Sequence, residues 1–442
     1  MKRFPGGVHP AGHKRETQDC EIVPLRAGAE LVYPLQQHIG VPAVPAVAAG
    51  DTVRKGQCLA AAAEGKLSVP IHSAVSGTVR EIAERDTVGG GRQRCIVVEN
   101  DGQETWADGI GAERDTDGLT EEEILRAIGA AGLVGLGGAG FPTEAKLRKA
   151  RETSIDRIIF NGAECEPYLT DDYRLMLERA PELIAGVLLW MRLFPGAQAV
   201  IGVEDNKPEA VRALRQAAEG TAVRVAALPT RYPQGSERSL IYALTGRKLT
   251  APLLPPDVGC VVQNVATVLA GYAAVRYGRP LLTRTMTVAG DAVARPGNFE
   301  VPLGMSYAEV LEAAGGLSAE AEKLVSGGPM TGTALLTAEV PVTKTSSALL
   351  AFRRDPVAAA PTTACIRCGH CLTVCPAGLM PQKLVQCVER GDLEGYERLG
   401  GLACVACGAC SYGCPARIPL TQAFRYARQE IGARRRKGAV KA

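Results

Sequence analysis

The sequence comprises 442 residues, of which 46% are hydrophobic, so it is long enough to bury several cores and to form about three domains. Its 50 basic and 47 acidic residues give a formal net charge of only +3. This balance excludes the strong positive field that is typical of nucleic-acid-binding proteins, and we expect no nucleic-acid partner.

The apolar stretches of the chain are too short to span a bilayer. Residues 183–191 are followed by Arg192, and residues 261–275 contain Gln263 and Asn264. A membrane-spanning helix needs about 20 consecutive apolar residues. We therefore expect no transmembrane segment of the chain's own, and we expect any association with a membrane to run through partner subunits.

The first hundred residues have the pattern of short strands separated by turns. Residues 50–56 contain two glycine turns, and residues 69–82 are rich in β-branched residues interrupted by Ser76 and Gly77. This pattern resembles the barrel-sandwich module of biotinyl and lipoyl carriers, which present a modifiable lysine on a hairpin. The equivalent turn contains His72 and no lysine. We interpret the segment as a scaffold or docking module, with a group carrier as the alternative.

A glycine-rich stretch follows a helix that begins at Thr120, where Glu123 completes a capping box. Gly135, Gly137 and Gly140 match G-x-G-x-x-G, the turn of dinucleotide-binding proteins. The match is not specific, because a helix-like segment precedes it and a proline at 142 intrudes on the helix that should open there. The residues favour a loop with exposed backbone N–H groups, suited to a phosphate or a flavin edge. A purely structural turn is the alternative.

The central part of the chain alternates strands and helices. Residues 158–160 and 199–203 have the composition of buried strands, and residues 182–193 and 207–218 have helical patterns, which indicates an α/β sheet. Farther along, residues 286–316 combine strands, a glycine-rich turn and one helix. That second pattern resembles the small β-grasp module of the SLBB type.

Two cysteine runs of identical spacing lie near the C-terminus. Each fits C-x2-C-x2-C-x3-C-P, in which three thiolates bind one 4Fe-4S cluster and the fourth binds a neighbouring cluster. Following this pattern, we assign two sets of four cysteines to two clusters. The first set is Cys365, Cys368, Cys371 and Cys414, and the second set is Cys404, Cys407, Cys410 and Cys375.

Two structural zinc sites are the alternative to this assignment. Zinc usually draws its four ligands as two pairs, so a fourfold run that ends in proline and is repeated once favours iron–sulfur clusters. The remaining cysteines are scattered without paired spacing, and disulfides are not expected. Oxygen-sensitive clusters and unpaired thiols indicate a reducing compartment, the cytoplasm.

The motifs occur in the order found in a known family. The glycine-rich stretch through Lys146, then Asn161-x-x-Glu164-x-Glu166, Tyr232-x-x-Gly235-x-Glu237 and Asn264-x-x-Thr267 resemble the FMN- and NADH-binding fold of the flavin subunit of respiratory complex I. With the opening Phe4-Pro-Gly-Gly-Val-His-Pro10, Gln37-His38-Ile39-Gly40 and the cysteine runs, nearly the whole chain resembles the RnfC family of Rnf electron-transport complexes.

The resemblance implies roles for individual residues. The residues that fall at FMN contacts are Gly135, Gly137, Lys146, Asn161, Glu164 and Asn264, and those at NADH contacts are Phe141, Glu166 and Glu237. Gly138 and Thr267 of the same motifs are also expected to bind cofactor. An aromatic face can stack on nicotinamide or adenine, and carboxylates can accept hydrogen bonds from ribose hydroxyls. The chain departs from complex I at Leu136 and Ala163, where the relative has arginine and aspartate.

Together the patterns and the resemblance predict a multidomain α/β and α+β fold. The expected units are a barrel-sandwich module (1–108), an FMN/NADH-binding domain (119–280), an SLBB-like β-grasp module (281–352), a helix-rich two-cluster ferredoxin domain (353–425) and a basic tail (426–442). The basic tail is expected to be solvated, with a contact to anionic lipid or an acidic partner as the alternative.

The resemblance implies a peripheral subunit on the cytoplasmic face of the membrane. It would exchange electrons between NAD(H) and the membrane subunits of the complex, and indirectly ferredoxin, through FMN and two 4Fe-4S clusters, coupled to Na+ or H+ movement. One alternative is a soluble flavin and iron–sulfur reductase of cobalamin. Another is a non-catalytic electron-relay subunit with a decayed flavin site, which the departures at Leu136 and Ala163 would support.

Overall fold

The computed structural model describes residues 2–355 and 357–441. An extended N-terminal segment precedes the first globular module and contains one short strand, β1 (Ile22–Pro24). This strand does not join the module that follows it. It pairs in parallel with a strand almost 280 residues later in the chain, Ile22 opposite Asn298. The N-terminal segment therefore links domains that are distant in sequence.

A module of two small antiparallel sheets follows, ordered β2-β8-β7-β4 and β3-β5-β6. Its longest strands form a hairpin, and alternate residues such as Val79 and Ile96 point into the core and are fully buried. His72 is also buried. The strands are β2 (Glu30–Pro34), β3 (Val44–Pro45), β4 (Thr52–Val53), β5 (Cys58–Ala61), β6 (Ile71–His72), β7 (Gly77–Asp86) and β8 (Arg92–Asn100).

The central domain is a four-stranded, fully parallel sheet covered by helices, as the alternation of strands and helices predicted. The capping box at Thr120 is present and opens the first helix. The helices are α1 (Glu121–Ala130), α2 (Thr143–Arg151), α3 (Asp171–Glu178), α4 (Ala180–Met191), α5 (Pro208–Ala217), α6 (Glu237–Thr245) and α7 (Val265–Tyr277). The strands are β9 (Arg157–Gly162), β10 (Gln198–Glu204), β11 (Arg224–Leu228) and β12 (Cys260–Asn264), in the order β11-β10-β9-β12.

A mixed six-stranded sheet, ordered β1-β14-β13-β17-β15-β16, forms the third unit. It carries one helix, which Ser306 and Glu309 begin with a second capping box. The elements are β13 (Thr283–Ala289), β14 (Gly297–Pro302), α8 (Tyr307–Ala313), β15 (Lys323–Ser326), β16 (Thr333–Leu335) and β17 (Ala348–Phe352). This arrangement and the α/β sheet agree with the predicted α/β and α+β fold class.

The last unit is helical and holds both cysteine runs. Its own apolar core includes Leu384, Tyr396 and Phe424. The helices are α9 (His370–Thr373), α10 (Pro381–Glu389), α11 (Leu393–Arg398), α12 (Ala409–Tyr412) and α13 (Leu420–Lys441). The last helix continues through residue 426, where the basic tail was predicted to begin, and Ala442 of that tail lies outside the described residues. No helix in the described ranges combines the length and apolar character needed to cross a membrane.

Candidate functional site

The site is built at the carboxyl ends of β9 and β12. The strand order places β9 between β10 and β12, so the winding of the chain reverses between β9 and β12. Open α/β sheets bind ligands in the crevice at such a reversal point. Asn161 and Asn264 are register partners at the ends of these two strands. The structure therefore brings together two predicted FMN contacts that are 103 residues apart in sequence (264 − 161).

Both asparagine side chains also hold the protein backbone. The Asn264 Oδ1 atom caps α7 by accepting a hydrogen bond from Ala266 N at 2.9 Å, and its Nδ2 atom donates to Asp172 Oδ2 at 2.6 Å. The Asn161 Nδ2 atom donates to Gly235 O at 2.8 Å. Their local role is to fix the strand ends that form the floor of the crevice.

The glycine-rich loop lies over this floor and opens toward solvent. A hydrogen bond from Gly135 N to Phe141 O at 2.9 Å closes its base, and Leu136 N donates to Thr267 Oγ1 at 2.9 Å. At its tip Gly137 and Gly138 are exposed, and their N–H groups have no acceptor among the described residues. Such a row of free backbone donors is suited to an anion or a flavin edge.

Two details of the loop differ from the sequence-based expectation. The residue at 142 does not interrupt the following helix, because α2 begins immediately after it at Thr143. Thr267 is fully buried and anchors the loop from below, and the side chain of Leu136 is buried as well. The loop thus has the open backbone that FMN requires, supported by two helix N-termini, those of α2 and α7.

Lys146 and Glu237 lie against each other. The Lys146 ammonium donates to Glu237 Oε1 at 2.5 Å and to Val262 O at 2.7 Å, with side chains 26% and 43% exposed. The sequence motifs place the lysine at FMN and the glutamate at NADH. Their contact makes the two predicted subsites continuous at this edge of the crevice.

The acidic loop after β9 is partly buried by basic side chains. Glu164 adopts a left-handed backbone conformation with φ of 47°, and its carboxylate lies 3.5 Å from Lys14 and 3.8 Å from Lys207. Tyr173 N donates to the same carboxylate at 3.1 Å. Glu164 is therefore a buried and charge-balanced group at the end of the strand. Burial lowers the pKa of Lys14.

A second acidic pair underlies the crevice. Asp171 and Asp172 begin α3, and Arg284 of β13 is fully buried near them. Burial is the main cause that raises the pKa of Asp171, and the negative charge of Asp172 raises it further. Burial also raises the pKa of Asp172 to about 7, with a smaller contribution from the charge of Glu164. The Arg284 guanidinium also donates to Leu136 O at 3.1 Å. It therefore connects the acidic pair to the glycine-rich loop.

Glu166 faces the third and fourth units. Its carboxylate accepts hydrogen bonds from Met330 N at 3.0 Å and from Thr331 Oγ1 at 2.5 Å. The Tyr232 hydroxyl lies 3.5 Å from Glu166 Oε1. Burial raises the pKa of Glu166. Phe141, another predicted NADH contact, is half-buried at the base of the glycine-rich loop.

Six of the eight cysteines in the two runs line two separate pockets. One pocket is lined by Cys368 and Cys414, and the other by Cys375, Cys404, Cys407 and Cys410. Each run begins its short helix, α9 or α12, after a glycine with φ of 75° or 82°, Gly369 or Gly408. The fourth cysteine of each run therefore lies beside cysteines of the other run: Cys414 beside Cys368, and Cys375 beside Cys404, Cys407 and Cys410. The two predicted ligand sets have the same exchange of fourth cysteines.

The thiols of each set interact electrostatically. Burial is the main cause that raises the pKa of Cys407 to about 11, and the neighbouring Cys404 and Cys375 thiols raise it further. Burial likewise raises the pKa of Cys371, with a smaller contribution from Cys414. A thiol whose pKa is raised stays protonated near neutral pH, and a bound metal cation would be what holds it as a thiolate. Iron, a cation that thiolates bind well, fits this donor set.

The second cysteine set packs against the central domain with the four-stranded parallel sheet (residues 119–280), which we call the flavin-type domain. Cys165, between Glu164 and Glu166, shares a small apolar cluster with Tyr232 and Cys407. The N-terminal segment completes this contact, since Gly7 N donates to Val374 O at 2.8 Å and a Cβ atom at Gly6 would lie 2.6 Å from the carbonyl carbon of Cys375. Cys365 and Cys368 of the first set are exposed.

Sequence reasoning missed several of these partners. Lys14 contacts Glu164 across 150 residues, and Thr331 contacts Glu166 across 165 residues. No local spacing marks such pairs. The glycine pair at the N-terminus, Gly6 and Gly7, was a visible signal, because both residues have positive φ and lie close to backbone of other domains.

Family models match four segments of the chain. They are the RnfC barrel sandwich hybrid domain (residues 2–103), the Nuo51 FMN-binding domain (128–272), the SLBB domain (285–334) and the 4Fe-4S dicluster domain (364–418). Each match lies within the segment for which the corresponding module was expected.

Curated proteins are similar over most of their length. The C subunit of the proton-translocating ferredoxin:NAD(+) oxidoreductase complex of Clostridium ljungdahlii is 43% identical, over 87% of this chain and 84% of that protein. The corresponding subunit of the Na(+)-translocating complex of Acetobacterium woodii is 39% identical over 98% of both chains. Among solved structures, an NAD+-reducing [NiFe]-hydrogenase in the H2-reduced state matches 72% of this chain and 67% of its own, with 25% identity and a TM-score of 0.51.

Proposed function

This chain belongs to the RnfC family, the C subunits of ion-translocating oxidoreductase complexes, and from that premise we propose that it exchanges electrons between NAD(H) and the other subunits of such a complex. It is an oxidoreductase subunit whose cofactors are FMN, NAD(H) and two 4Fe-4S clusters. Its partners are the other subunits of a membrane-associated complex. We place it on the cytoplasmic face, where the reducing environment protects clusters and unpaired thiols.

We propose that the crevice between β9 and β12 holds FMN, with NAD(H) at its acidic edge. The free N–H groups of the glycine-rich loop, the Lys146 cation and the two strand-end asparagines support this assignment. The proposed FMN residues are Gly135, Gly137, Gly138, Lys146, Asn161, Glu164, Asn264 and Thr267, and the proposed NAD(H) residues are Phe141, Glu166 and Glu237. Thr267 would act indirectly, because its hydroxyl oxygen accepts the hydrogen bond of Leu136 N and so fixes the glycine-rich loop.

We propose that the first and second cysteine sets each hold one 4Fe-4S cluster. NADH releases two electrons with one proton and becomes NAD+, whereas each cluster accepts one electron, so one NADH can supply both clusters. FMN provides the change from electron pairs to single electrons when it is bound. The protein contributes positioning, and no side chain needs to act as a general acid or base.

The single observation that carries the proposal is the contact between the flavin-type domain and the second set. The Tyr232 hydroxyl donates a hydrogen bond to Cys407 O at 2.6 Å. Tyr232 is in the same loop as Gly235, whose carbonyl accepts a hydrogen bond from Asn161 of the crevice. One molecule therefore joins the FMN crevice to a cluster site without an intervening subunit. Cys365 and Cys368 of the first set are exposed, so we propose that this set faces the other subunits.

The predicted domain boundaries remain part of this proposal. The sheets and helices support units at 1–108, 119–280, 281–352 and 353–425, whereas α13 carries the helical unit past residue 425, since Ala427 and Ile431 pack in its core. The N-terminal segment through β1 crosses these units, since it pairs with β14 and contacts Val374.

The test is anaerobic purification followed by measurement of cofactors and titration with NADH. The proposal expects about one FMN and about eight irons per chain, and a flavin spectrum that bleaches with NADH. A chain that binds zinc in place of iron would overturn the assignment of the cysteines. Clusters without flavin would indicate an electron relay instead.

A further inference from the structure

Tyr232 occupies the junction of four parts of the chain. Its side chain is only 3% exposed, and its backbone pairs with Val8 through hydrogen bonds of 2.8 and 3.0 Å. Val374, Ala409 and Cys407 surround it in one apolar cluster. A tyrosine enclosed in this way needs a partner for its hydroxyl, because an unpaired buried polar group is costly.

The partner of that hydroxyl is the backbone of a cluster cysteine. Tyr232 Oη donates to Cys407 O at 2.6 Å, and the Glu166 carboxylate lies 3.5 Å from the same hydroxyl oxygen. The hydroxyl donates its one proton to Cys407 O, so the Tyr232 side chain lies between the acidic loop of the crevice and the second set. Another carbonyl of that set, Cys404 O, accepts a hydrogen bond from Arg428 of its own domain at 2.6 Å.

Glu166 ties a second loop to the same junction. It accepts hydrogen bonds from Met330 N and Thr331 Oγ1, and Arg425 of α13 donates to Thr331 O at 3.0 Å. The approach is close, since a Cβ atom at Gly408 would lie 2.7 Å from Met330 O. The helical unit is thus attached to the flavin-type domain through Tyr232 on one side and through the loop at 330–331 on the other.

We propose that Tyr232 is a positioning residue for electron transfer between the flavin and the cluster of the second set. Its hydroxyl holds the Cys407 loop against the flavin-type domain and so keeps the distance between the two cofactors short. The rate of electron transfer falls steeply with distance, so a small displacement of the loop slows transfer without affecting hydride exchange. This inference rests on the proposed function and adds a residue to which no role in electron transfer was assigned.

Replacement of Tyr232 by phenylalanine isolates the hydroxyl, because the ring and its apolar contacts remain. The change leaves Cys407 O without its donor, and loss of a buried hydrogen-bond partner shifts the docked equilibrium of the loop by about fivefold or more. Tyr426→Phe is the matched control, since this tyrosine is on α13 of the same unit and is 56% exposed. Both variants are expected to keep the FMN and iron content of the unchanged protein.

The assay starts from fully reduced protein mixed with excess NAD+ in the absence of oxygen. Such protein carries about four electrons, two on the flavin and one on each cluster, and therefore forms about two NADH. We expect the first NADH to form at the same rate in all three proteins. The second NADH, which uses the electrons of the clusters, should form more slowly in Tyr232→Phe alone, in proportion to the lost fraction of docked loop.

Amide hydrogen exchange of residues 404–408 gives a readout that does not depend on turnover. Faster exchange in Tyr232→Phe, with unchanged exchange in Tyr426→Phe, supports the proposal. Wild-type exchange together with a wild-type second phase overturns it. If even the unchanged protein forms no NADH, the proposed function fails, and the exchange experiment still decides whether Tyr232 holds the Cys407 loop.

Discussion

The exchange of fourth ligands between the cysteine runs can be tested by the iron content of double variants. Cys375 lines one pocket with Cys404, Cys407 and Cys410, so its replacement by alanine should disturb only the cluster of the second set. Loss of a cubane removes about four of about eight irons. The double variant Cys375→Ala/Cys404→Ala should therefore retain about four irons, no fewer than Cys404→Ala alone.

The crossed pair gives the opposite expectation. Cys375→Ala/Cys365→Ala removes a ligand from each set and should lose nearly all iron. Cys387→Ser is the control, because this cysteine is half-buried on α10 of the same unit and lines neither cysteine pocket. Iron and sulfide analysis of anaerobic protein provides the measurement. The reverse result, in which the Cys375/Cys365 pair keeps about four irons and the Cys375/Cys404 pair loses nearly all, would refute the exchange.

Three further predictions concern the crevice. Lys146→Ala should lose most FMN but keep about eight irons, whereas Lys149→Ala, on the solvent side of the same helix, should keep both; equal loss of flavin and iron would count against separate sites. Thr267→Val removes the acceptor of Leu136 N and should weaken FMN binding about fivefold in a fluorescence titration, and unchanged affinity would contradict the anchoring role. Burial and, to a smaller extent, the charge of Glu164 raise the pKa of Asp172 from 3.8 to about 7. Between these two pH values the folded chain therefore holds a proton on Asp172 that the unfolded chain releases. The free energy of unfolding should fall with rising pH in that range by up to ~1.4 kcal/mol per unit for each raised carboxyl, Asp171 included, and Asp172→Asn should make the slope less steep in urea titrations; an unchanged slope would assign it to other groups.

The sequence predicted what local spacing determines. The capping box at Thr120, the glycine before each short cluster helix and the eight cysteines are all encoded within a few residues. The parallel sheet was also accessible, because strands buried on both faces have continuous apolar runs. These features need no knowledge of which distant segments meet.

Long-range partners could not be predicted in this way. Lys14 neutralises Glu164 from an N-terminal segment whose polar composition has no periodic pattern, and β1 joins a distant sheet through three residues with little burial. Lys146 and Glu237 were assigned separately to FMN and NADH, and their mutual contact depends on how α2 and α6 meet at the sheet edge. Tertiary packing decides these contacts, and single motifs do not report it.

We propose that one chain converts between electron pairs and single electrons through its flavin. The most direct test is the yield of NADH when fully reduced protein meets NAD+, compared with Lys146→Ala protein from which the residual FMN has been removed and which retains its iron. We predict about two NADH per chain for the unchanged protein, and none for the flavin-free variant, whose clusters should stay reduced. Equal yields from the two proteins would contradict the claim, since the clusters would then reach NAD+ without the flavin.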